Sequence, residues 1–243
     1  MRKTLITYDA SQLPISLQSY MNDAPIYDSS SSENARTLFI DGTPSLFLKI
    51  SAKGTLEREY RMTEFLHAHQ MAPRVMEYTG DDTHDYLLTA AVQGTDGVDP
   101  DHINDPEQLA AAFGHHLRRL HELPLTGCPY PSRSAEIRQE ALDSGIPASL
   151  LEELTYVPVD NVIIHGDYCL PNVIMENYHL RGFIDTGYGG IGDRNYDIYW
   201  GLWTLQYNLD TEQYHDIFLD AYGKDDVNMD GVHYFSQLVD WTE

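Results

Sequence analysis

Apolar and polar positions divide the chain into a strand-rich first part and a largely helical second part. Residues 36–50 carry the apolar runs Leu38-Phe39-Ile40 and Leu46-Phe47-Leu48 on either side of Asp41-Gly42, which predicts two strands around a turn. From Leu56 to His69 the residues Leu56, Tyr60, Phe65 and Leu66 can share one face with charges opposite, the signature of a helix. Residues 84–92 predict another strand, and Gln93-Gly94-Thr95-Asp96-Gly97 then breaks the pattern as a hinge or linker. The expected division is therefore 1–93 and 94–243. In the second part Asp105-Pro106 opens a helix that runs to Leu120, with Asp105 as N-cap and Pro106 at the first helical position. Further helices are expected over 135–143, 147–155, 196–207 and 211–222. The short apolar runs Val162-Ile163-Ile164 and Gly182-Phe183-Ile184 fit strands. There is no internal repeat, and Ser29 to Ser32 is too brief for a linker.

Composition narrows the classes. With 243 residues, 42% of them hydrophobic, the chain can form one large domain or two lobes sharing a cleft. No segment approaches the roughly 20 apolar residues of a membrane span. The start, Met1-Arg2-Lys3-Thr4-Leu5-Ile6, lacks the apolar core and cleavage site of a signal peptide, so a cytoplasmic protein is expected. Cys128 and Cys169 are too few for a disulfide framework and lack metal-ligand spacing. The net charge of −23 opposes nucleic-acid binding. It is uneven: residues 1–93 hold 8 basic and 12 acidic residues, a net of −4, whereas 94–243 hold 7 and 26, a net of −19. Such a field either solubilises the surface or draws in a cationic partner.

The candidate chemistry lies between the two short apolar runs. His165-Gly166-Asp167-Tyr168-Cys169-Leu170-Pro171-Asn172 is followed by Asp185-Thr186-Gly187. Protein kinases place a catalytic Asp five positions before a metal-binding Asn, and a second metal-binding Asp opens D-F-G. Asp167 and Asn172 have the same separation, and Asp185 stands where D-F-G would begin. This spacing predicts phosphoryl transfer: Asp167 accepts or orients the acceptor proton, and Asn172 and Asp185 offer oxygen ligands suited to magnesium. His165 is expected to hold the loop backbone, and Asp193 and Asp197 to brace it. Lys49 ends Leu46-Phe47-Leu48-Lys49, the form of a phosphate-pairing strand lysine, and Glu57 and Glu59 on the following helix are possible partners.

Other features are weaker. Gly187-Tyr188-Gly189-Gly190-Ile191-Gly192 matches a dinucleotide fingerprint, but the residues after it read as helix, so a flexible loop is expected. No glycine-rich loop precedes Lys49; residues 31–34, with Ser32, are the remaining candidates to cover phosphates. His115, His116 and His121 are expected at the surface or in packing, and Tyr199, Trp200, Trp203 and Tyr207 in core packing or as a wall for a substrate ring.

Together these residues resemble the aminoglycoside phosphotransferase family, in particular its 3′-phosphotransferase branch. Leu48-Lys49 with Leu56-Glu57-Arg58-Glu59 resembles the lysine strand and its helix, which makes Glu59 the lysine partner. Leu87 to Gly94 resembles the segment joining the lobes, where adenine meets backbone, here Thr89, Ala91 and Val92. Leu117 to Leu123 with Cys128-Pro129-Tyr130, and Asp193-Arg194-Asn195-Tyr196-Asp197, also fit. The resemblance implies an α+β, bilobal protein-kinase-like fold with a small strand-rich N-lobe and a larger helical C-lobe. It implies ATP or GTP, two magnesium ions, a polycationic aminoglycoside acceptor, and a monomer or weak dimer.

The drug-holding positions depart from the branch. Tyr188 stands where Arg usually follows Asp-x-Gly. An acidic pair after the next helix falls near Tyr207 and Asn208, with Asp210 displaced. The segment between Pro131 and Val157 is short but keeps Glu136 and Glu140, and the C-terminus keeps Asp240 and Glu243 without a final aromatic. The acceptor-facing expectations are therefore Glu136, Glu140, Tyr188, Asn208, Asp210, Asp240 and Glu243. A kinase of another amine-bearing or hydroxylated metabolite or of a macrolide, and an idle nucleotide-binding fold, are the alternatives.

Overall fold

The computed structural model describes residues 3–21, 24–31 and 34–240, the side chain of Asp240 excepted. The expected sites at Ser32 and Glu243 lie outside these residues, and the Asp240 site rests on an undescribed side chain.

The strand-rich part is an antiparallel sheet built from β1 (Thr4–Ile6), β2 (Ile26–Asp28), β3 (Ala35–Ile40), β4 (Leu46–Ala52), β5 (Val75–Gly80) and β6 (His84–Ala90). Its spatial order is β1-β2-β3-β4-β6-β5. Alternation along a strand separates the two faces. Leu46 and Leu48 of β4, Leu38 and Ile40 of β3, and Tyr86 and Leu88 of β6 are buried together under Leu13, Leu17 and Met21. Leu17 lies in the short α1 (Ile15–Gln18). Lys49 therefore emerges on the opposite face, towards α2 (Glu57–Ala68). The buried carboxylate of Asp85 accepts from the backbone N–H groups of Gly54 and Leu56, fixing the entry into α2.

Sheet membership changes between β6 and β7 (Thr95–Asp96), which joins β9 (Val173–Glu176) and β10 (His179–Phe183) in the order β10-β9-β7. The helices of this larger part are α3 (Pro100–Ile103), α4 (Pro106–His121), α5 (Arg133–Asp143), α6 (Ala148–Glu153), α7 (Arg194–Leu209), α8 (His215–Tyr222) and α9 (Met229–Asp240). Leu109, Phe113, Leu117 and Leu120 of α4, spaced on one helical face, pack with Phe218 and Tyr222 of α8 and with Tyr168 and Leu170. A second cluster joins Ile137 and Ala141 of α5 to Tyr234, Phe235 and Leu238 of α9. The architecture is a bilobal, kinase-like α+β fold, with the six-stranded sheet in the N-lobe and most of the helices, beside two small sheets, in the C-lobe.

Several expected elements shift. The hairpin loop spans residues 41–45. The glycine run is not a flexible loop: residues Thr186–Tyr188 form a single 3-10 turn, and β11 (Gly190–Gly192) pairs with β8 (Val162–Ile164). A side chain at Gly190 would fall 2.6 Å from Arg133 Cγ and 2.8 Å from the Tyr130 carbonyl oxygen, so the glycines make room for neighbours. The aromatic stripe divides: Tyr199 and Trp200 pack against the core, while Trp203 and Tyr207 are exposed and stacked with ring centroids 5.0 Å apart.

His116 and His121 are buried on α4. His121 meets the Tyr222 hydroxyl and Asp197, and burial lowers its pKa despite the carboxylate. His116 Nε2 lies 3.0 Å from the carbonyl oxygen of Tyr178, and burial pushes the His116 pKa down from 6.5 to about 4. The unfolded chain thus takes up a proton at this site before the folded chain does. Its stabilising contribution is intact above about pH 6.5 and is lost as pH falls towards about 4. Urea midpoints at pH 7.5 and pH 5 are expected to differ by about 2 kcal/mol of stability through this group, and His116→Gln should flatten that difference. An equal pH slope in the variant removes His116 as the cause.

Candidate active site

The segment between β8 and β9 is held by buried donors and acceptors. Asp197, on the first turn of α7, is fully buried. Its carboxylate accepts from the His165 N–H at 2.6 Å and from the Gly166 N–H at 2.8 Å. Asp193 caps α7 through the Asn195 N–H and also accepts from the Tyr156 hydroxyl and the Val159 N–H. His165 Nδ1 accepts from the Asp167 N–H, which leaves Nε2 to donate to the Ile184 carbonyl at 3.0 Å. The imidazole thus ties the Asp167 backbone to the approach to Asp185. Gly166 has φ +82°, and a Cβ there would sit 2.1 Å from the Tyr188 carbonyl oxygen. Only glycine meets both demands.

Asp167 is fixed at both oxygens. The Asn172 amide donates to Oδ2 at 2.8 Å and to the Asp167 carbonyl at 3.0 Å. The Cys169 thiol donates to Oδ1 at 3.3 Å. Burial and the Asp167 charge raise the Cys169 pKa, which keeps the sulfur protonated and able to donate. Cys169 belongs to no metal or disulfide motif, and its position two residues after Asp167 is its one signal in the sequence.

The second half of the site crosses the lobes. Lys49 Nζ lies 2.7 Å from Glu59 Oε2 and 2.8 Å from Asp185 Oδ1. Burial acts to lower the Lys49 pKa, but the two carboxylates outweigh it and the ammonium is held charged. Burial raises the Glu59 pKa, Lys49 opposes this, and Asp185 adds to the rise. Asp185 adopts a left-handed φ of 55°, an uncommon backbone for a non-glycine residue that aims its carboxylate at Lys49. Thr186 is anchored to α2 through Thr63, hydroxyl to hydroxyl at 3.0 Å.

Magnesium suits this donor set. Because Asn172 turns its amide nitrogen to Asp167, its Oδ1 is directed away from that carboxylate, and Asp185 Oδ2 is the oxygen not engaged by Lys49. Both are hard oxygen ligands.

The family model described as "Phosphotransferase enzyme family" matches residues 27–234. The chain belongs to this phosphotransferase family. A probable aminoglycoside 3'-phosphotransferase of Lactococcus lactis is 37% identical over 239 residues, covering 90% of this chain and 91% of that one. The crystal structure of an aminoglycoside-3'-phosphotransferase of type VIII superposes with a TM-score of 0.73 at 25% identity, covering 88% of this chain and 91% of that one. An aminoglycoside phosphotransferase of Streptomyces rimosus, solved with ADP and streptomycin, shares the fold at a TM-score of 0.67 and 19% identity, covering 86% of this chain and 90% of that one.

Within this phosphotransferase the remaining expected positions fall in different surroundings. Thr89 is the penultimate residue of β6, and the Ala91 N–H is taken by the Ser45 carbonyl at 2.9 Å. Val92 lies beside Gly182. Tyr188 is 58% exposed, directly after the Asp185 turn. Asn208 donates to the Thr204 carbonyl and hydroxyl within α7, and Asp210 forms the left-handed C-cap of that helix. Glu140 pairs with Arg133, is 56% exposed, and lines a cleft of about 190 Å³ with Ile137, Tyr196 and Leu238. Glu136 is engaged by both Arg58 and Arg133. Neither arginine was singled out by sequence.

Proposed function

We propose that this phosphotransferase moves the γ-phosphate of ATP to a hydroxyl of an aminoglycoside, in the 3′ manner of its relatives, and so confers resistance to the drug. The observation that carries the reading is the convergence of Asp167, Asn172, Asp185, Lys49 and Glu59, with Lys49 bridging Glu59 and Asp185 across the lobes. The lobes are proposed to meet near residues 93 and 94, where sheet membership changes. GTP is proposed as the alternative donor.

In this reading Asp167 receives the proton of the attacking hydroxyl. The acceptor oxygen bonds to the γ-phosphorus, the bond to the departing ADP oxygen breaks, and the proton passes on to solvent. Lys49 meets the nucleotide phosphates, and Glu59 orients it. Thr89, Ala91 and Val92 border the adenine; the Ala91 N–H is already engaged by the Ser45 carbonyl. Asn172 and Asp185 would hold two magnesium ions, which supply charge neutralisation on phosphate oxygens. The net −19 of residues 94–243 favours approach of a polycation. Among the proposed acceptor-facing residues that are described, Tyr188, Glu140 and Asp210 are exposed.

Coupled ADP release against kanamycin, neomycin, a macrolide and metabolite amines tests this. The aminoglycosides are expected to give turnover that needs magnesium and falls steeply with added salt. Turnover of a macrolide or a metabolite alone, with both aminoglycosides silent, would replace the acceptor and leave the chemistry.

A further inference from the structure

We propose that Glu136 is a positioning residue for the nucleotide site, the hub of a brace that seats α2 against the C-lobe, and not a carboxylate that holds an acceptor amine. The proposal rests on the phosphotransfer reading above and assigns one of its residues a different task.

One oxygen of Glu136 takes two guanidinium donors. Arg58 Nη2 approaches Oε2 at 2.5 Å and Arg133 Nη1 approaches the same atom at 2.6 Å. Arg58 belongs to α2, and Arg133 opens α5. The contact therefore spans the lobes, between residues 78 positions apart. Burial alone would raise the Glu136 pKa, but Arg133 and Arg58 outweigh it and hold the carboxyl below the ordinary range.

Arg133 cannot readily leave this arrangement. Its side chain is 1% exposed, so its charge must be met inside the protein. Nε donates to the Tyr188 carbonyl at 3.0 Å, and Nη1 also reaches Glu140 at 3.0 Å. Gly190 and Gly192 pack directly on its aliphatic stem. The glycine run that resembles a dinucleotide fingerprint is the bed on which this arginine lies.

Arg58 in turn controls the catalytic face of α2. It stacks over the Tyr130 ring, 4.0 Å from the centroid, and its Nε points at the Gly189 carbonyl. The next residue is Glu59, and adjacent helical residues point about 100° apart. Arg58 thus faces the C-lobe while Glu59 faces Lys49. Gly187 lies against Glu59, with a virtual Cβ 3.4 Å from the Glu59 Cβ. The brace grips the loop after Asp185 from one side through the Tyr188 carbonyl, and α2 from the other through Arg58. Both partners of Lys49 are therefore set by it. An incoming amine would have to displace two guanidinium groups to use Glu136, whereas Glu140 already opens onto a cleft.

Binding of the non-hydrolysable analogue AMP-PNP with magnesium provides the test, because it needs no acceptor. Glu136→Gln is expected to weaken AMP-PNP binding about five- to tenfold and lower kcat, with the acceptor KM within about twofold of the parent. Arg58→Ala reaches the same brace from its more exposed end and should reproduce the loss. The double variant should lose little more than either single one. If Glu136→Gln does not fold, Arg58→Ala alone decides the matter. Unchanged AMP-PNP affinity in the folded variants, or a rise confined to the acceptor KM, would overturn the proposal. Failure of every aminoglycoside in the turnover panel would overturn the acceptor assignment only, leaving the AMP-PNP result to stand.

Discussion

Asp167→Ala is expected to lower kcat by about 10³-fold, within the range a positioned general base contributes, while AMP-PNP affinity changes less than about threefold. The loop should survive the substitution. Its backbone is held by Asp197 through His165 and Gly166, and by the His165 ring, none of which uses the Asp167 side chain. Asn172 loses the contact to Oδ2 but keeps its amide bond to the Asp167 carbonyl. Beyond the proton acceptor, the variant loses only the Asn172 contact to Oδ2 and the Cys169 thiol contact to Oδ1, neither of which holds the loop backbone, so the loss belongs in kcat rather than in nucleotide KM. Steady-state kinetics with each substrate varied, beside an AMP-PNP titration, separates the two. A variant with kcat near the parent value would remove Asp167 as the base.

Lys49→Ala should be nearly as damaging by a different route. The ammonium is the shared partner of Glu59 and Asp185, and both ion pairs are short. Its loss leaves two carboxylates facing one another where phosphate must bind, and Glu59, whose pKa burial already raises, is expected to take up a proton. Breaking a fully buried pair costs roughly 3–5 kcal/mol. Lys49 retains 21% side-chain exposure, so about 1–3 kcal/mol of stability is expected to go. The ATP KM should rise at least about tenfold, with kcat about 10²-fold lower because Asp185 also loses its partner. Unchanged ATP kinetics would refute the assignment of Lys49.

What the sequence disclosed follows the range of each interaction. Asp167 and Asn172 were legible because five positions separate them and neighbouring apolar strands frame the loop. Lys49 and Glu59 were legible because a strand and the next helix bring them together over ten positions. The brace was hidden because Arg58 and Glu136 meet across 78 positions, and the motif around Arg58 points to Glu59 as the lysine partner, not to Glu136. Its one trace was the glycine run, whose crowding has meaning only once Arg133 is seen beside it. Local chemistry also moved element ends. Asp193 caps α7 and starts it at Arg194, while the Thr211 hydroxyl accepts from the Gln213 N–H and delays α8 to His215. The three-residue strands β1 and β2 carry little pattern and exist through their pairing. β11 is glycine-rich, against strand propensity, and is secured by pairing with the buried β8.

Tyr188 divides its labour between backbone and side chain. Its carbonyl abuts Gly166 and receives Arg133, whereas its ring projects outward. Any residue can supply that carbonyl. The side chain at 188 can therefore be exchanged while the carbonyl stays in place, so substitutions there are expected to leave the seat of Arg133 and the turn at Gly166 as they are.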